Sequence, residues 1–164
     1  MASGNFLKNE REAVSKEVSA MMESFNRGDA KGLIERTHPS IYKLANGKET
    51  FEKALIGAAK QIMDQGVVIE SFDVGLPKKL YKAGKESICF VPKTTVMTIG
   101  DRRIKSISYM VAIKDGDGNW RYLDGAGARR DPKQLWILLP DLPKEVELPE
   151  NTIAEIENEE VEQE

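Results

Sequence analysis

Three neighbouring stretches carry short apolar runs rich in β-branched and aromatic residues, ESICFVPKTTVMTI (86–99), RRIKSISYMVAIK (102–114) and WRYLDG (120–125), separated by polar turns with glycine in them. Such runs, bounded by turn signals, read as consecutive β-strands. Gly100-Asp101 and the run 115–119 (DGDGN) between them are hairpin turns. The pattern predicts an antiparallel meander over 86–125, with Pro92 implying an edge position or a bulge. In 102–114, Ile107, Tyr109, Val111 and Ile113 alternate with Ile104, Met110 and Ala112. A strand apolar on both faces must be covered on both. A helical layer supplies one cover; the C-terminal segment or a second subunit supplies the other. The run VVIESFDVGL (67–76) reads as a further strand, with Val68, Glu70, Phe72 and Val74 on one face and Ile69, Ser71 and Asp73 on the other. A short strand is expected near 79–82.

The residues before the meander repeat with helical spacing. Val14, Val18, Met21 and Phe25 are separated by four, three and four positions, which places them on one face, and Gly28 supplies the stop. Asp29 is the expected N-cap of a short second helix, AKGLIERT, ending at His38 because Pro39 disfavours helical geometry before it. Tyr42 and Leu44 are expected in a brief extended stretch, followed by an Asn46-Gly47 turn. A third helix is expected over 48–65, with Phe51, Leu55, Ala58 and Ile62 inward. Asp131 and Pro132 open a fourth helix that Pro140 ends. After Pro143 the chain turns acidic, with one lysine against nine glutamates over 144–164. Val146, Leu148, Ile153 and Ile156 can pin the first part of this tail, and the final eight residues are expected to be disordered. The organisation predicted is a single domain over 1–143 and an acidic, partly disordered tail over 144–164.

Composition narrows the class. With 164 residues, 40% apolar and 31% charged, the chain is an ordinary globular domain. Without the tail, residues 1–143 carry a mild positive excess, with no basic cluster and no interleaved aromatics, so no nucleic-acid partner is expected. No apolar run is long enough for a membrane helix, and the N-terminus lacks the apolar centre of a signal peptide. A complete chain is therefore expected to be cytoplasmic, and one trimmed of a leader to be exported. Cys89 alone excludes an internal disulfide and reads as a small buried residue. The DGDGN run begins like a calcium loop, but Trp120 and Ala126 occupy its sixth and twelfth positions, so no metal is expected. Gly125-Ala126-Gly127 near Arg129 and Arg130 lacks phosphate-loop spacing. No cofactor is expected.

The segments FNRGDAKGLIERTHPSIY (25–42) and SYMVAIKDGDGNWRYLDG (108–125) resemble the first two helices and last two strands of nuclear transport factor 2-like domains. The resemblance spans roughly residues 6–139. It implies an α+β fold: three N-terminal helices packed in a strongly curved antiparallel sheet, a cone-shaped barrel with a pocket at one end, then a short C-terminal helix and the acidic tail. It also implies a homodimer through the outer sheet face. Members of the superfamily include steroid isomerases, polyketide cyclases, dehydratases, epoxide hydrolases, transport factors and non-enzymatic oligomerisation modules. Fold alone does not choose among them. The candidate catalytic groups are His38, the only histidine, with Asp73 and Asp124; Tyr42, Tyr109 and Tyr122 are the pocket candidates. Steroid isomerases pair a carboxylate base with tyrosine and protonated-aspartate donors, whereas the first helix here has Phe6 and Phe25 and no tyrosine. Two readings follow: a module binding a small apolar ligand or a protein partner without catalysis, and an isomerase, cyclase or dehydratase. Catalysis requires at least two of the polar candidates to converge in one pocket. An interaction scaffold working through the acidic tail is a third.

Overall fold

The computed structural model describes residues 6–157. Helix α1 (Lys8–Asn26) buries Val14, Val18, Met21 and Met22 along one side, as their spacing requires. It stops where Gly28 adopts a φ of +92° and the amides of Arg27 and Gly28 turn back to the carbonyls of Ser24 and Phe25. Asp29 accepts the Lys31 amide at 3.0 Å from two residues before α2 (Lys31–Glu35), whose N-cap is Ala30 and not Asp29 as expected. The stretch expected to be extended is instead a helical turn, α3 (Ile41–Leu44). Pro39 and Ile41 carbonyls take the amides of Tyr42 and Ala45, so local hydrogen bonds prevail over alternation. Asn46 and Gly47, both at positive φ, make the expected turn into α4 (Lys48–Asp64). Tyr42 packs edge-on against Phe51 there. Of the α4 positions expected to face inward, Phe51, Leu55 and Ile62 are half-buried and Ala58 is exposed; the buried contact comes from Ala59.

The strands are β1 (Val68–Val74), β2 (Tyr81–Ala83), β3 (Glu86–Ile99), β4 (Arg102–Lys114), β5 (Trp120–Asp124) and β6 (Thr152–Ile156). They form one six-stranded antiparallel sheet that does not close on itself. The long β3–β4 hairpin is its spine, in unbroken register from Ser87↔Lys114 to Ile99↔Arg102. Each outer edge of this hairpin is shared by two shorter strands. Along β3, β2 pairs with 86–88 and β1 with 93–98; along β4, β5 pairs with 110–114 and β6 with 103–107.

Pro92 lies at the gap between β2 and β1. Its carbonyl accepts the Gly75 amide at 2.8 Å, so its missing N–H faces the same interrupted edge and no ladder bond is lost. The bulge lies elsewhere. Register shifts between Ile69 and Ser71, which turns Ile69, Phe72 and Val74 to one face and Val68, Ser71 and Asp73 to the other. Strict alternation from Val68 to Val74 therefore misplaces the first half of β1.

The spine is covered twice. On one face Cys89, Val91, Met110, Ala112 and Tyr122 pack under α1. On the other, Ile88, Phe90, Tyr109, Val111, Ile113 and Leu123 pack under α5 (Gln134–Leu138) and an extended strap, residues 139–151, through Leu135, Leu139, Leu142 and Val146. The cover for which a second subunit was an alternative thus comes from the chain itself. Helix α5 starts later than expected, because Asp131 and Pro132 are spent on a preceding turn that receives the Gln134 and Leu135 amides. Past residue 143 the chain returns to the sheet: Val146 is buried and β6 is paired with β4. Most of the final eight residues lie outside the described residues.

One side chain closes the notch between β5 and β6. Asn151 donates to the Gly125 carbonyl at 2.8 Å and accepts from Ser108 Oγ at 3.0 Å and Arg129 Nε at 3.1 Å. It thereby ties the end of the strap to the β4 edge. Beside it the Tyr109 ring and its backbone carbonyl close on Gly125, where any Cβ would overlap both. Gly125→Ala should therefore cost about 2 kcal/mol or more. Gly127→Ala, with open space around it, should cost little. Urea unfolding midpoints of the two variants check this, and equal midpoints would contradict the packing described.

Candidate ligand-binding groove

Phe90 and Pro92 stand on the strap side of β3, at the point where the covering layer thins out. Phe90 sits between two tyrosines, with ring centroids 6.0 Å from Tyr81 and 5.5 Å from Tyr109, the latter edge-on. Two walls rise from this floor. One is the β1–β2 link, with Leu76, Lys78 and Lys79; it is held down by Pro77 and Leu80, both buried. The other is the strap from Glu147 to Glu150, held by buried Val146 on one side and by Asn151 and β6 on the other. Its start is tied by the Trp136 indole N–H, which donates to the Pro143 carbonyl at 3.3 Å. The walls enclose a groove of about 630 Å³. Leu76 is half-exposed, and Pro92, Leu148 and Pro149 are partly so, which leaves apolar surface facing the opening. Lysines stand on one rim and glutamates on the other, and among the described residues no ion pair crosses between them.

The residues singled out from the sequence lie elsewhere and do not converge. His38 leaves α2 along the β5 edge, its amide on the Tyr122 carbonyl. Its Nε2 is 2.9 Å from a Glu86 carboxylate oxygen, and its Nδ1 is 2.9 Å from Ser40 Oγ and 3.3 Å from the Ser40 amide. The amide can only donate, so Nδ1 accepts and the Nε2–H donates to Glu86. None of His38, Ser40 and Glu86 lines the groove. Asp73 is exposed on the strap side of the sheet. Asp124 pairs with the buried Lys93 at 3.2 Å and accepts the Ala126 amide at 2.9 Å, capping the 3-10 turn Gly125–Ala128.

The three tyrosines also separate. Tyr42 lines a shallower hollow of about 380 Å³ with Thr37, Glu52 and Arg121. Tyr122 is buried beneath α1, where its hydroxyl donates to Glu17 at 2.6 Å; the other Glu17 oxygen accepts from Arg36 Nε at 2.8 Å. Burial first, and then the Glu17 carboxylate, push this phenol well above its ordinary value. Tyr109 lies behind the groove floor. Burial raises its phenol, a hydrogen bond with Asn151 acts against this, and the Asp124 charge adds to the rise. Among the described residues no cluster of three or more His, Cys, Asp or Glu could hold a metal, and no helix is long and apolar enough to cross a membrane.

Sequence reasoning missed the groove residues. Phe90 and Pro92 share the strap-side parity of Ile88, and Val146 and Leu148 were visible as anchors. The route that brings the strap over the Phe90 end of the strand carries no local signal. No protein-family model matches the chain, and comparison with curated proteins finds no match.

Cys89 faces α1 and is fully buried; burial chiefly, with the Glu10 charge, pushes its thiol up to about 12 from an ordinary 9. The folded state thus favours the neutral thiol. Its contribution is intact below pH 9 and is lost as pH rises from 9 towards 12, where the unfolded chain ionises first. The stability of the wild type relative to Cys89→Ala should fall by about 1.4 kcal/mol per pH unit over that window. Urea denaturation across pH 8–11 measures it; a constant difference would mean that the thiol meets water.

Proposed function

We propose that this chain is a non-catalytic binding module of the nuclear transport factor 2-like type, and that it holds a small, mainly apolar ligand in the groove over Phe90 and Pro92. The observation that carries the reading is the groove: its 630 Å³ falls within the range of small-molecule sites, about 300–1,000 Å³, and uncovered apolar side chains stand over an aromatic floor. The order of elements, four helices and then an antiparallel sheet built on a meander, supports the family assignment. The non-catalytic part rests on the dispersal of the acid–base candidates. His38 is engaged by Ser40 and Glu86, Asp124 by Lys93, and Asp73 stands apart from both. General acid–base catalysis requires such groups within reach of one reacting atom.

A neutral aromatic probe, 4-methylbenzyl alcohol, should perturb backbone amide shifts at 76, 78–81, 90–91, 147–148 and 150, with a Kd of about 1 mM for so small a molecule. Leu76→Ser, at an exposed position that tolerates change, should weaken binding several-fold, whereas His38→Ala and Asp73→Asn should leave it unaltered. Shifts confined to the hollow beside Tyr42, or none at all, would overturn the reading.

A further inference from the structure

We infer that the ligand of this groove is dipolar: an apolar body with an anionic group at the Lys78–Lys79 rim and a cationic group at the Glu147–Glu150 rim. This rests on the groove being the ligand site. The argument begins with how the four charges are placed. Lys78 and Lys79 are consecutive exposed residues between two buried ones, Pro77 and Leu80, so their backbone cannot swing away from the rim. Glu147 and Glu150 flank Leu148 and Pro149 and are bounded by the buried Val146 and by Asn151, whose side chain is fixed on Gly125, Ser108 and Arg129. Glu150 is oriented further by the Thr152 hydroxyl, which donates to it at 3.0 Å. Both pairs are therefore anchored, with opposite signs, on opposite sides of one apolar floor.

They are not bridged to each other, so neither rim has cancelled the other's charge. Low-dielectric walls concentrate such a field within a cleft. A simple anion is drawn to the lysines and repelled by the glutamates, and a simple cation meets the reverse. A neutral molecule gains from the floor alone. Only a molecule with both signs at opposite ends gains at both rims, and the aromatic floor suits a flat body between them.

The test is an amide-shift titration of the full chain with four matched probes: 4-(aminomethyl)benzoate, 4-methylbenzoate, 4-methylbenzylamine and 4-methylbenzyl alcohol. At low salt the zwitterion should bind about fivefold more tightly than either single ion, and the gap should close in about 0.3 M salt. Lys78→Glu with Lys79→Glu should remove the gap. Adding Glu147→Lys and Glu150→Lys should restore it, because the ligand can then bind reversed; unchanged shifts outside the groove report that each variant folds. If all four probes bind the groove equally, or the anion alone is favoured, the dipolar inference falls while the groove remains the ligand site. If no probe perturbs the groove, both fall.

Discussion

Residues 109–113 of β4 are buried on both faces of the sheet, and most of the architecture follows from having to cover each face. Met110 and Ala112 receive α1; Tyr109, Val111 and Ile113 receive α5 and the strap. Burying a large aliphatic or aromatic side chain is worth about 1.5–3 kcal/mol, so neither face can be left wet. The far half of the same hairpin has no such need. There Arg103 pairs with Glu70, Thr98 also bonds Glu70, and the strap face sets Thr94, Thr98, Arg103 and Lys105 beside Val96 and Ile107, none of them fully buried. The covering layer therefore ends partway along the strand. The groove lies at that end, where Phe90 is still buried and Pro92 is already partly open.

The two covers are locked by different chemistry. Helix α1 is held by a carboxylate shared between a buried phenol and a guanidinium, Tyr122–Glu17–Arg36. This places a polar connection across the packed layer without an orphaned group. The strap contains no helix and is tied by two side chains, the Trp136 indole on the Pro143 carbonyl and the Asn151 amide at the notch where β5 gives way to β6. Among the described residues no buried side-chain polar atom is left unpartnered, which is the condition for such polar locks to stabilise a core.

Much of this was legible in the sequence because it is local. The meander, the α1 stripe, the Gly28 stop and the Asn46-Gly47 turn depend on neighbours within a few residues, where periodicity and backbone preference speak directly. Apart from the helical turn at Ile41–Leu44 and the late start of α5, which local hydrogen bonds decide, what failed depended on distant partners. The bulge at Glu70 reverses the faces of β1 through pairing with β3, and no residue type between Val68 and Val74 announces it. Pro92 was recognised as a break in a ladder, but the break belongs to the neighbouring strands, not to its own. His38 drew attention as the only histidine, yet its partners, Ser40 and Glu86, fasten the α2–α3 connection to the start of β3.

The acidic C-terminal stretch shows why composition misleads about position. Nine glutamates against one lysine read as a solvated tail, and an average over the segment supports that reading. Fold membership is decided by a few side chains with somewhere to go. Val146 enters the core, Leu148 packs at its margin, and Thr152–Ile156 completes the β4 edge that β5 leaves unpaired. Once those are fixed, the glutamates between them can no longer distribute their charge evenly through solvent. Two of them are held at the rim of an apolar groove, opposite two lysines held by Pro77 and Leu80. The same two-sided burial of β4 that calls for a strap thereby turns a diffuse negative charge into a directional one.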